Sequence, residues 1–286
     1  MNPPRTDPVR EQLEDETTRA GGGWRVGGAG SGTVDQGGWR EAGDVVAFWA
    51  GYALFAAITF FGGLLAAALW RLLPRRIGTR VGQWMIMVAF RTQLEFLRLT
   101  GRFEFDLRAL DALRAEGGLV IAPNHPALLD VLLVASRLPR ITGIMKAKLW
   151  NNVLLGGGAR LAGYIRNDSP CSMVKRAVEE IGRGSQLLVF PEGTRSVRRP
   201  VNPFKPGFAL IARRAGVPVQ TVFIETAAPF LGKGWPWWRR PAMPIRYRVR
   251  LGRRFTVNGD VKAFSAMLEQ YFEDELRATL PVHRDG

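Results

Sequence analysis

One cysteine and two histidines are all that this chain of 286 residues holds of the side chains that most often cross-link folds or ligate soft metals. A lone Cys171 excludes an intramolecular disulfide framework and a thiolate-rich metal site. It follows Ser169-Pro170 with no histidine beside it in sequence, and reads as a small residue near a helix start rather than as a nucleophile. His283 lies between Val282 and Arg284-Asp285 in a polar tail, a solvated position, so His125 is left as the one credible base. Internal repeats are also absent. Acid is scarce: 25 Asp+Glu face 40 Lys+Arg, a formal charge of +15. That balance favours an anionic partner, whether nucleic acid, an anionic membrane surface or a phosphorylated substrate. An apolar fraction of 47% allows a buried core, and the length suits one α/β domain with an appendage.

What the chain does have begins at residue 45. Residues 1–43 are rich in Gly and charge, with no apolar periodicity, and read as a disordered tail. Val45 to Trp70 is then a run of 26 residues without a formal charge. Roughly 20 apolar residues suffice to cross a bilayer as a helix, so residues 44–73 are expected to anchor the chain in a membrane. Gly62-Gly63 in mid-segment leaves open a kinked, re-entrant hairpin in place of a span. A cleaved signal peptide is not expected from a segment this long that follows an acidic tail. Arg71, Arg75, Arg76 and Arg80 come next, which places the remainder of the chain on the cytoplasmic side. Residues 81–99 alternate Trp84, Met87, Phe90 and Leu94 with Arg91, Glu95 and Arg98, the pattern of an amphipathic helix.

From 102 to 280 short apolar strands alternate with helices. Strands are predicted at 103–107, 118–122, 141–146, 186–190, 217–224 and 245–257, and helices at 128–137, 172–182, 207–214 and 261–279. The alternation defines an α/β domain with a mixed, largely parallel sheet covered by helices. Asn151-Asn152 and Gly156-Gly157-Gly158 are expected to mark loops.

Two strand ends carry the chemistry. At the first, Ala122-Pro123-Asn124-His125-Pro126 leads into Asp130. On a continuous helix, residues five apart lie about 140° apart around the axis and cannot meet. Pro126 biases His125 to an extended backbone and suits the first helical position, so the Asp130 carboxylate can reach back to the imidazole. A carboxylate on one ring nitrogen fixes the tautomer and stabilises the imidazolium formed when the other takes a proton. That is a general base without a serine, acting on a hydroxyl supplied by the substrate. The competing reading is a loop histidine beside an unrelated helical acid. At the second strand end, Phe190-Pro191-Glu192-Gly193-Thr194-Arg195-Ser196 offers a close-approach glycine and donors for phosphate oxygens. Glu192 is expected to hold Arg195 or another arginine; the plainer alternative is a tight turn with a surface ion pair.

These segments resemble the signature blocks of the glycerolipid acyltransferases, whose bacterial type is the 1-acyl-sn-glycerol-3-phosphate acyltransferase. The block N-H-x-x-x-x-D is matched by Asn124-His125 through Asp130, and F-P-E-G-T-R-S by Phe190 to Ser196. Gly163-Tyr164-Ile165-Arg166 resembles the block that ends in a basic residue. Phe204-Lys205-Pro206-Gly207 and Val217-Pro218-Val219 complete the order, over roughly residues 102–256. The resemblance implies that His125 is the base and Asp130 its orienter. Arg166, Arg195 and Lys205 would hold the acceptor's phosphate, with Thr194 a further donor and Glu192 and Gly193 shaping the pocket. It implies a lysophospholipid acceptor, an acyl-CoA or acyl carrier protein thioester as co-substrate, no metal or bound cofactor, and the bacterial inner membrane as location. Ala127, where Ser or Thr is common, and Gln220-Thr221 after Val219 depart from the family pattern and bear on the acceptor. An acceptor or donor of another kind, in the manner of the ornithine-lipid or aryl-polyene branches, is the alternative.

Two other classes compete. A non-catalytic membrane-surface protein on this fold would have a broken dyad, and this dyad is intact. Nucleic-acid binding rests on charge alone, and the long apolar run argues against it, so no nucleic-acid partner is expected. The cluster Lys233-Gly234-Trp235-Pro236-Trp237-Trp238-Arg239-Arg240 suits the headgroup zone of an anionic membrane, or else tryptophans packed on the core.

Overall fold

The computed structural model describes residues 37–197, 200–226 and 230–279. The expected tail therefore lies outside the described residues up to 36, as does His283. From 37 to 43 the chain is already helical.

Helix α1 (Gly37–Leu72) runs unbroken through Gly62-Gly63, so no hairpin forms within it. It is the one described helix long and apolar enough to cross a membrane. Its contacts with the body of the protein run nearly its full length. Asp44 accepts from Arg102 Nε at 2.9 Å, and the Gly51 carbonyl accepts from Gln93 Nε2 at 3.0 Å. Farther along, Trp70 lies under the Arg160 guanidinium. Phe48 and Ala66 are buried on this side, while Val46, Phe61, Leu65 and Leu72 are exposed on the other. Leu73-Pro74 turn the chain into α2 (Arg75–Leu99), which starts six residues before the expected 81. The added turns are held by Arg75, whose guanidinium reaches the buried Glu180 at 3.1 Å, and by Gly82, which lies flush against Ala162.

The sheet that follows has seven strands: β1 (Phe103–Asp106), β2 (Leu119–Pro123), β3 (Ile141–Lys146), β4 (Ile165–Asn167), β5 (Gln186–Leu188), β6 (Val219–Glu225) and β7 (Ile245–Phe255). Their order is β1-β7-β6-β2-β5-β3-β4. The five from β6 to β4 are parallel, β7 runs antiparallel on β6, and β1 is parallel to β7. Short helices α3 (Asp130–Ala135), α4 (Ala147–Trp150) and α5 (Val153–Leu161) precede α6 (Pro170–Gly182), α7 (Gly207–Ala215) and α8 (Val261–Thr279). On one face of the sheet, Leu94 and Leu97 of α2 and Leu133 and Val134 of α3 pack on Ile121, Val222 and Tyr247. On the other, Ala177, Phe208, Leu268 and Phe272 pack on Val120, Leu187 and Phe223. A central strand covered on both faces needs apolar residues throughout, and β2 (Leu-Val-Ile-Ala-Pro) is buried at every position.

Three expectations are corrected. Gly156-Gly157-Gly158 lie inside α5; a Cβ on Gly157 would stand 2.5 Å from the Gly63 carbonyl oxygen, so close packing against α1 requires its small size. Strand β4 was not foreseen; its three residues are too few to show a period. Helix α3 starts at Asp130 rather than 128, because Pro126–Leu129 form a turn. Three of the five arginines of β7 are ion-paired: Arg246 with Glu104, Arg250 with Glu225 and Glu275, and Arg254 with Glu116. Much of the positive charge on that face is thereby answered within the molecule.

Candidate active site

β2 and β5 are neighbours in the middle of the sheet, and the segments that leave their C-terminal ends meet. Asn124 extends the sheet beyond β2: its Nδ2 donates to the Ile224 carbonyl at 3.0 Å and its Oδ1 accepts from Ile224 N–H at 2.7 Å. The backbone of His125 is then gripped from the other segment. His125 N–H donates to Glu192 Oε1 at 2.9 Å, and Ser196 N–H donates to the His125 carbonyl at 2.7 Å. The ring of Phe190 stacks on the imidazole, centroids 3.8 Å apart and planes 21° apart.

Held this way, His125 Nδ1 lies 2.8 Å from Asp130 Oδ2. The same oxygen accepts from Ala127 N–H at 2.7 Å, which closes the Pro126–Leu129 turn beneath the ring. Asp130 is fully buried, whereas the His125 side chain keeps 12% of its surface open. Burial pushes the Asp130 carboxyl up to about 6, against the downward pull of the imidazole and the Ala127 N–H. An ionised Asp130 accepts from Nδ1–H, and that tautomer leaves Nε2 with a free lone pair.

Among the described residues no arginine is held by Glu192. Its buried carboxylate takes three donors: His125 N–H, Ser196 Oγ–H at 2.8 Å and Asn202 N–H at 2.8 Å. Burial raises its pKa, against those bonds. It is a stitch between the two segments. The Arg195 guanidinium instead rests on the Leu231 and Gly232 carbonyls through Nη1, at 2.7 and 3.0 Å. Gly193 has φ +67°, and a Cβ there would meet Lys205 Nζ at 3.0 Å, so the missing side chain makes room for Lys205. Lys205 is exposed and Thr194 half-buried in the same cluster. Among the described residues neither Arg195 nor Lys205 has a carboxylate partner. Arg166 stands apart. It lies on edge strand β4, three places along the sheet from β2, with Nε 2.5 Å from Asp168 Oδ1. The Phe190 stack and the Glu192 and Asn124 clamps are contacts between segments 60 or more residues apart, which no local pattern announces.

A histidine held by a buried carboxylate at 2.8 Å, with no partner on its second nitrogen among the described residues, has the arrangement that a general base needs. Residues 104–225 match the family model described as Acyltransferase. A chloroplast 1-acyl-sn-glycerol-3-phosphate acyltransferase of Brassica napus is 30% identical over 46% of this chain and 40% of its own length. The lyso-ornithine lipid O-acyltransferase of Pseudomonas aeruginosa is 32% identical over 47% and 56%. The 1-acyl-sn-glycerol-3-phosphate acyltransferase of the same organism is 24% identical over 80% and 88%. The chain spans 27–56% of the lengths of the first curated relatives that it matches. The fold is shared with the crystal structure of the 1-acyl-sn-glycerophosphate acyltransferase PlsC of Thermotoga maritima, with a TM-score of 0.62 at 18% identity, over 85% of this chain and 99% of that one. Residues 104–225 are thus a domain of the Acyltransferase family, and over that stretch the chain is similar to glycerolipid acyltransferases.

Proposed function

We propose that this protein moves a fatty acyl group from an acyl-CoA or acyl carrier protein thioester to the free hydroxyl of a lysophospholipid, foremost 1-acyl-sn-glycerol-3-phosphate. The observation that carries the reading is the Nδ1–Asp130 bond of 2.8 Å on a histidine whose other nitrogen is free. Nε2 accepts the hydroxyl proton as the acceptor oxygen attacks the thioester carbonyl. The new C–O bond forms, the C–S bond breaks, and the imidazolium returns its proton to the departing thiolate. Arg195 and Lys205 supply the charge for the acceptor's phosphate. A cavity of about 190 Å³ between α1, α2, α3 and α5, lined by Ile58, Met85, Phe90, Val131, Met145 and Tyr164 among others, suits part of the acyl chain. Cavities of ~150 Å³ with such linings hold small hydrocarbons.

Anchoring falls to α1. Its exposed apolar face, opposite the side packed on the body, supports a helix seated in the cytoplasmic leaflet of a bacterial inner membrane, with Arg71, Arg75, Arg76 and Arg80 at the headgroups. A lyso-ornithine lipid acceptor is the second reading, favoured by the 32% identity to the Pseudomonas enzyme of that name. One assay tests both: the purified protein is given a panel of lysolipids and both thioester types, with products read by mass. His125→Ala should cut transfer by about 10³-fold, within the range of general-base contributions. Undiminished turnover in that variant would overturn the mechanism.

A further inference from the structure

The loop between β6 and β7 was left undecided by sequence between core packing and membrane contact. Its residues divide between an inward set and an exposed one. Phe230 and Trp235 pack inward, edge to face with one another, and Phe230 also meets Phe48 of α1. Trp237 and Trp238 remain 57% and 63% exposed, unusual for the bulkiest apolar side chain. They are also continuous with α1: Trp49 stands edge-on to Trp237 at 6.0 Å, and the Tyr52 hydroxyl donates to the Trp237 carbonyl at 3.0 Å. Arg240 donates to the Glu41 carbonyl, and Arg239 lies over the Trp235 ring. Lys233, Arg239 and Arg240 have no carboxylate partner among the described residues. Exposed tryptophans with unanswered cations, alongside the apolar face of an anchoring helix, have the chemistry of the anionic headgroup zone.

The same loop reaches the candidate active site from its other end. The Leu231 and Gly232 carbonyls hold Arg195, and the Leu231 carbonyl also accepts from Leu128 N–H at 3.2 Å, in the turn between His125 and Asp130. Leu231 has φ +62°, a left-handed backbone that a branched aliphatic residue rarely adopts, so the surrounding contacts impose this geometry. Six residues thus separate the carbonyls that set Arg195 from the exposed Trp238.

We propose that the 230–241 loop is a second membrane-contact element, seated by Trp237 and Trp238 in an anionic bilayer surface, and that it positions Arg195 for an acceptor presented from that surface. The contact stands on the loop alone; its consequence for the acceptor rests on the role given to Arg195 above. The test uses the full chain in a Cys171→Ser background, with an environment-sensitive fluorophore on Trp238→Cys and, as control, on Met267→Cys of α8. With vesicles of phosphatidylcholine and phosphatidylglycerol, the label at 238 should shift to the blue and be quenched by nitroxide-bearing lipids, while that at 267 stays water-like. A water-like, unquenched label at 238 on protein that sediments with the vesicles overturns the contact, whatever the acyl-transfer activity. For the coupling, Trp237→Ser/Trp238→Ser should raise the KM for vesicle-borne lysolipid severalfold and leave turnover on detergent-dispersed acceptor unchanged. Equal KM values in vesicles overturn the coupling, whereas loss of activity with His125→Ala alone bears only on the enzyme reading.

Discussion

Asp130 is asked to be charged in a place that disfavours charge. It is fully buried, its Oδ2 has two donors, and its Oδ1 has none. Burial therefore lifts its pKa to about 6, above the ordinary value of 3.8. The native state holds that proton more tightly than the unfolded chain does. The resulting contribution to stability is full below about pH 4 and is lost as pH rises through about 6. Activity has the opposite sign, since only the carboxylate fixes the tautomer that frees Nε2. The coupled pair should give kcat/KM an acid limb near pH 6, reported as a property of the dyad. Asp130→Asn should lose about 10³–10⁴-fold in kcat, as an amide orients the ring wrongly. The same change should leave stability near pH 4 almost untouched and raise it at pH 8 by on the order of 2 kcal/mol. Paired denaturation curves at the two pH values check this; a loss at pH 8 larger than that near pH 4 would show that Asp130 stabilises the fold in its charged form.

At the scale of elements, the sequence was legible where a period had room to show itself. The first five of the eleven residues of β7 alternate buried and exposed, and its start at Ile245 was placed correctly. Helix α8 matched at both ends, because nineteen residues carry several turns of apolar spacing. Legibility failed where small residues serve packing. Gly156-Gly157-Gly158 read as a loop, yet Gly157 lets α5 lie against α1, and Gly82 lets α2 lie against the end of α5. In the site, His125 and Asp130 could be paired because Pro126 lies between them and the family blocks surround them. Glu192 was expected to hold Arg195 or another arginine; besides the Ser196 hydroxyl, its donors are a backbone N–H 67 residues away and another ten residues on. Neither is visible in a side-chain pattern. Gly82 gives a direct check. A Cβ there would stand 2.5 Å from Ala162 N and 2.6 Å from the Leu161 carbonyl carbon, both backbone atoms that cannot swing aside. Gly82→Ala should cost about 1–3 kcal/mol by overpacking despite alanine's better helix propensity. A neutral or stabilising result in chemical denaturation would mean that α2 is not seated on α5 as described.

The whole molecule adds a volume that no single element possesses. The 190 Å³ cavity is walled by α1 and α2 on one side and by α3, α5 and Tyr164 on the other, and it exists only while both helices lie against the domain. Its wall includes Val131, the residue after Asp130 on α3. On the proposed function, membrane anchoring and acyl-chain binding share a structure: the face of α1 turned from the body is the one offered to lipid, and the face turned inward lines the cavity. Gly158 lets this be tested without disturbing the dyad. It lines the cavity within α5, and a Cβ there meets nothing within 4 Å, so a larger side chain grows into open space and not into backbone. Gly158→Leu should therefore fold at least as stably as the parent, gaining helix propensity. It should also shorten the space left for the acyl chain. Because one methylene in an apolar pocket is worth ~10-fold or more in discrimination, the ratio of kcat/KM for palmitoyl over lauroyl thioesters should fall by at least roughly tenfold, with the lauroyl rate retained. An unchanged ratio in a stably folded Gly158→Leu protein would place the acyl chain elsewhere, for instance along the outer face of α1 in the lipid itself.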